Sequence, residues 1–253
     1  LRVDVLGSIR AFRGGTEIVD EGWVRRERVR QLLAHLLLHR RMVRYRVAED
    51  LWPDLSGERA LDNLRVNLNH LQRVLQPGRP PSEPPWFVRA DGDHLVLATE
   101  GIEVDADRFE RACDEARRLD ERAQGTLAID AYRVVADAYT GDYLVDWPYS
   151  DWAAVERVRL RTLATGGIAR LGELLLARGE PEEATSWAAV ALRHEPLLER
   201  AHRLLARGLA GQGNVAAARG ALADLAAQLH DEGLATERET EQLARQLGAR
   251  PPS

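Results

Sequence analysis

With 253 residues, 45% of them hydrophobic, the chain has enough apolar material for two ordinary domains, each with its own core. The single cysteine, Cys113, excludes a disulfide framework and a four-cysteine zinc site, and no apolar run approaches the roughly 20 residues of a membrane span. Charge is unevenly divided: residues 1–100 carry 16 Arg against 14 acidic side chains, a net of +2, whereas residues 101–253 carry 19 Arg against 26, a net of −7. Lys is absent, so a cationic phosphate contact falls to Arg or a protonated His.

The opening residues Leu1, Val3 and Val5 alternate with Arg2 and Asp4, and a second stretch runs from Ile9 to Phe12 before Gly14-Gly15 and Thr16 to Val19. Period-two alternation broken by a Gly-Gly turn predicts short antiparallel strands. From Val24 to Leu38 the period becomes helical, with Val29, Leu32, Leu33, Leu36 and Leu37 on one face. Arg46 to Leu51 predicts a second, shorter helix ended by Trp52-Pro53, and Glu58 to Gln76 a third, stopped by Pro77 and the Gly78-to-Pro85 run. Trp86 to Leu97 reads as a hairpin turning at Asp91-Gly92-Asp93. Strands, three helices and a hairpin, in that order, make a winged helix. In that arrangement the third helix enters the DNA major groove and the hairpin lies on the backbone.

On the third helix Leu61, Leu64, Leu68, Leu71 and Leu75 form one stripe, and the opposite face presents Arg59, Asp62, Val66, Asn69, His70 and Arg73. Val66 is the odd member, a β-branched apolar residue almost opposite the core stripe. A stray exposed Val on a polar surface helix would look the same. On a recognition helix the side chain has a partner, the thymine methyl group; Asn69 suits adenine, and His70 or Arg73 suits guanine or a phosphate. Arg25, Arg26 and Arg28 before the first helix are supporting cations. Arg40, Arg41, Arg44 and Arg46 between the first two read as a backbone clamp, and Arg89 lies on the hairpin.

Beyond residue 100 the pattern is helical throughout, with helices expected at about 105–119, 122–139, 150–178, 181–194, 197–211, 214–230 and 236–247. Cys113 falls within an amphipathic helix and reads as a small buried hydrophobe. Gly179 and Gly213 lie 34 residues apart, each followed at the fifth position by Ala (Ala184, Ala218). That is the period of tetratricopeptide units, which stack helix pairs into a concave partner-binding surface. The fold class expected is mainly α: an N-terminal α+β winged-helix domain (1–100) followed by an all-α tetratricopeptide-like domain (101–253).

Leu1–Gly7, the Trp23-to-Leu38 segment, Leu51-Trp52-Pro53-Asp54 and Asn63-Leu64-Arg65-Val66 resemble the OmpR-type winged helix of SARP-family regulators (Streptomyces antibiotic regulatory proteins). Val104-Asp105, Phe109, Tyr139-Thr140-Gly141-Asp142, Trp152, Glu195-Pro196 to Glu199 and Leu247-Gly248 to Pro251 resemble the bacterial transcriptional activator domain that follows it in that family. The resemblance implies a regulator that binds double-stranded DNA at promoter direct repeats as a side-by-side homodimer and recruits RNA polymerase through its sigma or alpha subunit. It places base reading at Val66, Asn69 and His70, with Arg73, Arg59, Arg65, Arg89, Arg44 and Arg46 as further DNA contacts. The polymerase-contact loop falls at Trp52 to Gly57, with Trp52, Asp54 and Leu55 its candidate residues; Trp52 equally suits a core anchor. The sequence departs from the family at His70 and Gln72, where Arg is usual, and at Asp91 and Asp93 on a hairpin tip that is usually basic and aromatic. Each change removes a cation or adds repulsion to phosphate, so weaker, altered or lost DNA binding is expected.

No glycine-rich phosphate loop, zinc spacing or nucleophile elbow is present, so no catalytic residue, metal or cofactor is expected, and no enzyme. His35 and His39 have i, i+4 metal geometry but lack a third ligand, and read instead as histidines at a helix C-terminus. Two other readings stay open. The winged helix can serve as a docking module of an adaptor that does not bind DNA, or the chain is the N-terminal part of a larger signalling ATPase regulator. The opening at Leu1 without Met fits a piece of a longer protein, and no signal peptide is recognisable, so a soluble cytoplasmic product is expected.

Overall fold

The computed structural model describes residues 1–98 and 100–248, and the end of the Leu247-Gly248 to Pro251 stretch lies outside them. The chain forms two compact units, Leu1–Arg108 with Thr140–Val158, and Phe109–Tyr139 with the residues from Arg159 onward.

In the first unit, β1 (Arg2–Asp4), β2 (Arg10–Arg13) and β3 (Thr16–Glu17) pair antiparallel, as the alternation predicts. A short helical turn, α1 (Glu21–Val24), precedes α2 (Glu27–His39), β4 (Arg41–Val43), α3 (Arg44–Leu51) and α4 (Gly57–Leu75). The hairpin β5 (Val88–Asp91) and β6 (His94–Leu97) follows, and β7 (Glu103–Val104) closes the first sheet parallel to β1. The strand orders are β3-β2-β1-β7 and β4-β6-β5. The hairpin turns through Gly92 and Asp93, with φ +55° at Gly92 and no positive φ at Asp93, as a II′ turn requires. The sequence reading misses β4 because a three-residue strand has too little periodicity to register, and its partners on β6 lie 51 to 55 residues downstream.

The core of this unit is Leu32, Leu33 and Leu36 of α2, Leu51 of α3, Leu64, Leu71 and Leu75 of α4, and Leu95 and Leu97 of β6. The stripe on α4 is narrower than its leucine spacing suggests: Leu61 and Leu68 are only half-buried, and Ala60 and Val74 join the buried set.

Residues 140–158 add to the same unit. Asp142 and Val5 carbonyls accept from the Gly7 and Leu144 amides, and Asp146 accepts from the Ile9 amide. Asp105, the first residue of α5 (Asp105–Glu121), is buried and accepts from the amides of Val5 at 2.7 Å, Leu6 at 3.0 Å and Ala106 at 2.8 Å. Burial pushes its carboxyl up; the three amide donors oppose that rise. Arg157, on α7 (Asp151–Ala177), is also buried and donates to the carbonyls of Tyr143, Trp147 and Pro148 at 2.9–3.0 Å.

His35 is fully buried, with Nε2 2.7 Å from Asp50 Oδ2 and its ring against those of His39 and Trp152. Asp50 engages Nε2, and Nδ1 is buried without a hydrogen-bond partner among the described residues. Burial holds the imidazole below its ordinary value, with the nearby His39 adding to that effect and the Asp50 hydrogen bond opposing it. The unfolded chain therefore takes up a proton below pH 6.5 that the folded chain resists, so stability must fall as pH drops through that value. Thermal unfolding at pH 7.5, 6.5 and 5.5 should show a falling midpoint, with a shallower fall in His35→Gln. Parallel pH profiles for the two chains would contradict this account.

The second unit carries α6 (Gly125–Ala138), the later part of α7, α8 (Pro181–His194), α9 (Glu199–Gly211), α10 (Val215–Asp231) and α11 (Arg238–Gln246). The expected repeat is visible: Gly179 and Gly213 take φ +85° and +82° at equivalent turns, and Ala184 and Ala218 are fully buried where neighbouring helices meet. Both positions favour Gly because a Cβ is strained at positive φ. Small residues dominate the packing, with Ala206, Ala218, Leu222 and Leu243 in one cluster and Ile168, Ala191 and Ala201 in another. Cys113 is buried here, its thiol pushed up by burial to about 11. Among the described residues no helix is long and apolar enough to cross a membrane.

Candidate nucleic-acid interface

The outward face of α4 is built by the burial of its other side. With Leu64, Leu71 and Leu75 at most 2% exposed, the face about 180° away must meet solvent, and Val66 there is 52% exposed. Arg59, Asp62, Arg65, Asn69 and Arg73 are exposed beside it, and His70 is half-buried. All the base-reading candidates therefore share one helix face.

The cations differ in their freedom. The side chains of Arg59, Arg73 and Arg89 are exposed and have no hydrogen-bond or ion-pair partner among the described residues. Arg65 pairs with Asp62 at 3.1 Å and Arg46 with Glu49 at 3.3 Å. Both pairs are exposed, and such pairs contribute at most about 1 kcal/mol, so a phosphate can displace either carboxylate. Arg44 is half-buried, its backbone amide bonded to the Asp93 carbonyl and its Nε buried without a partner.

The other clamp cations are paired too, Arg41 in a pair as exposed as those of Arg65 and Arg46. Arg40 is held by Asp107 at 2.9 Å and Arg41 by Asp91 at 2.5 Å. Hydrogen bonding to Arg41 holds the Asp91 carboxyl below its ordinary value. The acidic wing tip is therefore half neutralised by its own sheet, a long-range pairing with no signature in local sequence. Arg25 pairs with Glu21, and Arg28 donates to Gln31. Gln72 faces the wing, donating to the Val88 carbonyl at 3.1 Å, and so fixes α4 against β5.

Burial lowers the pKa of His70 first, and the charges of Arg26 and Arg73 lower it further. Its neutral imidazole is favoured in the free protein and can exchange hydrogen bonds with a base edge. Arg26, close enough to be felt at His70 and exposed, thus joins this face although it precedes α2.

In the loop before α4, Trp52 is 9% exposed with the Arg28 guanidinium 5.9 Å above its ring, which makes it a core anchor. Asp54 and Leu55 are exposed, Leu55 at 38%. Asp105 at the start of α5 accepts from the Ala106 amide, the Thr140 hydroxyl donates to the Leu6 carbonyl, and Phe109 is fully buried 5.4 Å from the Tyr139 ring.

A mainly α protein with an N-terminal winged helix and a tetratricopeptide-like region is the architecture of a transcription regulator. The family described as "Bacterial transcriptional activator domain" matches residues 104–247, more than half of the chain. The chain belongs to that family, and the match bears out the resemblance to SARP-type transcriptional activators. Among solved structures the chain is similar to one described as "Mycobacterium tuberculosis EmbR in complex with low affinity phosphopeptide", with a TM-score of 0.82 and 16% identity. The alignment covers 100% of this chain and 66% of that chain, so this chain spans just under two-thirds of that protein's length. At that identity the likeness concerns the fold. No curated protein matches the chain in sequence.

Proposed function

We propose that this transcriptional activator binds double-stranded DNA sequence-specifically through α4, as a homodimer on promoter direct repeats, and recruits RNA polymerase in the cytoplasm. Residues 1–100 read the DNA and residues 101–253 act as the activator domain. The observation that carries the reading is the face of α4: an exposed Val66 beside Asn69, with the side chains of Arg59 and Arg73 unpaired on the same face and that of Arg89 unpaired on the hairpin. An apolar side chain among hydrogen-bonding groups, with a guanidinium group two turns away in each direction on the same helix face, matches a major groove lined by phosphates. Asp54 and Leu55 are the exposed groups offered to the polymerase, through its sigma or alpha subunit, while Trp52 shapes their loop from beneath.

Selection from a random duplex pool, followed by affinity measured against salt, tests the reading. Enriched sites should bind with a steep negative dependence of log K on log salt concentration, and Arg73→Ala should lower that slope by about one. Failure to enrich any sequence, with no salt dependence, would favour the adaptor reading, for which the acidic wing tip of Asp91 and Asp93 speaks.

A further inference from the structure

In the second unit a partly enclosed cavity of about 220 Å³ is lined by Arg117, Tyr132, Thr162, Leu163, Gly166 and Arg200, which come from α5, α6, α7 and α9. Its charged lining groups are both guanidinium. Arg200 is gripped by Glu173 through two bonds of 2.7 Å, and Glu173 also accepts from Arg170 at 3.2 Å. These bonds use Nε and Nη2 of Arg200 and leave Nη1 for a further acceptor. The carboxylate orients the cation but is not part of the lining. Arg117 has only a 3.3 Å contact to exposed Asp114, a pairing that a better anion can replace. Cys113 also lines the cavity, and with its thiol pushed up to about 11 it adds no negative charge at neutral pH.

Gly166 gives independent support. Two adjacent glycines in the middle of a 27-residue helix cost about 1 kcal/mol each relative to Ala. Gly167 has a packing reason, because a Cβ there would meet Val135 Cγ1 at 3.1 Å. Gly166 has none: it is half-buried, yet a Cβ there meets nothing within 4 Å. What a side chain at 166 would fill is the cavity itself.

We infer that this cavity binds a small organic anion, a carboxylate or phosphate on a short apolar body, with Arg117 and Arg200 on the anionic group and Leu163 beside the body. The volume suits a single ring or a short chain, below the 300 Å³ or so of drug-sized sites. The inference does not rest on DNA binding.

The test titrates the full-length chain by calorimetry with benzoate, phenyl phosphate and the neutral benzamide, at constant ionic strength set with sodium chloride. Saturable binding of benzoate or phenyl phosphate with a millimolar or lower Kd is expected, and no binding of benzamide. Whichever anion binds more tightly identifies the group as carboxylate or phosphate. Gly166→Leu should weaken binding at least about tenfold while raising the thermal midpoint of the free protein. Arg117→Gln, at an exposed position, should weaken it about fivefold with the fold unchanged. No saturation by either anion, equal binding of benzamide, or unchanged affinity in both variants would each overturn the inference.

Discussion

Val66→Glu should abolish sequence selection and lower affinity for an enriched site by at least about a hundredfold, close to 3 kcal/mol. Two effects add. The substitution removes the apolar surface that would meet a thymine methyl, and it places a carboxylate in a groove walled by phosphates, where like charges cost several kcal/mol. The fold should be indifferent to the change, because Val66 is 52% exposed and Glu is a better helix former than Val. Circular dichroism and the thermal midpoint of the variant should match those of the parent, so any loss belongs to the interface. Val66→Ala separates the two effects. It deletes methyl contacts without adding charge, and should relax discrimination at one base position by about fivefold while leaving the salt slope intact. Competition binding with single-base variants of the enriched site reads both. A Val66→Glu chain that binds as tightly as the parent would place the reading face elsewhere.

The parts of the molecule legible in the sequence are those whose signal is local. The leucine stripe of α4 predicts its buried side, and therefore its exposed side, from helical period alone. The turn at Gly179 followed by Pro181 fixes the start of α8 at the residue expected, since Pro is favoured at a first helical turn. The unread parts are those that depend on partners far apart in the chain. Nothing near Arg41 announces Asp91, 50 residues on, so the clamp looks free in the sequence when three of its four guanidinium groups already carry an ion pair. The cavity around Gly166 is assembled from four helices, each of which taken singly reads as an amphipathic scaffold element. Glycine at 166 was its one local sign, and only the empty space beside it gives that sign a meaning.

The same distinction applies to residues 140–158, whose Thr140-Gly141-Asp142 looks like a simple turn between helices but which folds with the N-terminal unit. Arg157 holds that segment. Its guanidinium satisfies three carbonyls of the loop ahead of α7, those of Tyr143, Trp147 and Pro148, in a buried site. Charged donors to buried acceptors are worth about 1.5–3 kcal/mol each, and acceptors left unpaired cost the full desolvation penalty. The three bonds share one side chain and do not add independently, so Arg157→Met should destabilise the N-terminal unit by about 3–5 kcal/mol, lowering its thermal midpoint by about 10 °C. Arg157→Lys keeps the charge but replaces a planar fork by a single ammonium, and should fall between the two. Hydrogen exchange locates the damage. The amides of Leu144 and Gly7, whose acceptors lie on Val5 and Asp142, should lose protection in Arg157→Met, while those of α10 keep it. Equal loss of protection in both units would mean that Arg157 supports the whole chain, and an unchanged midpoint would mean that the loop is held without it.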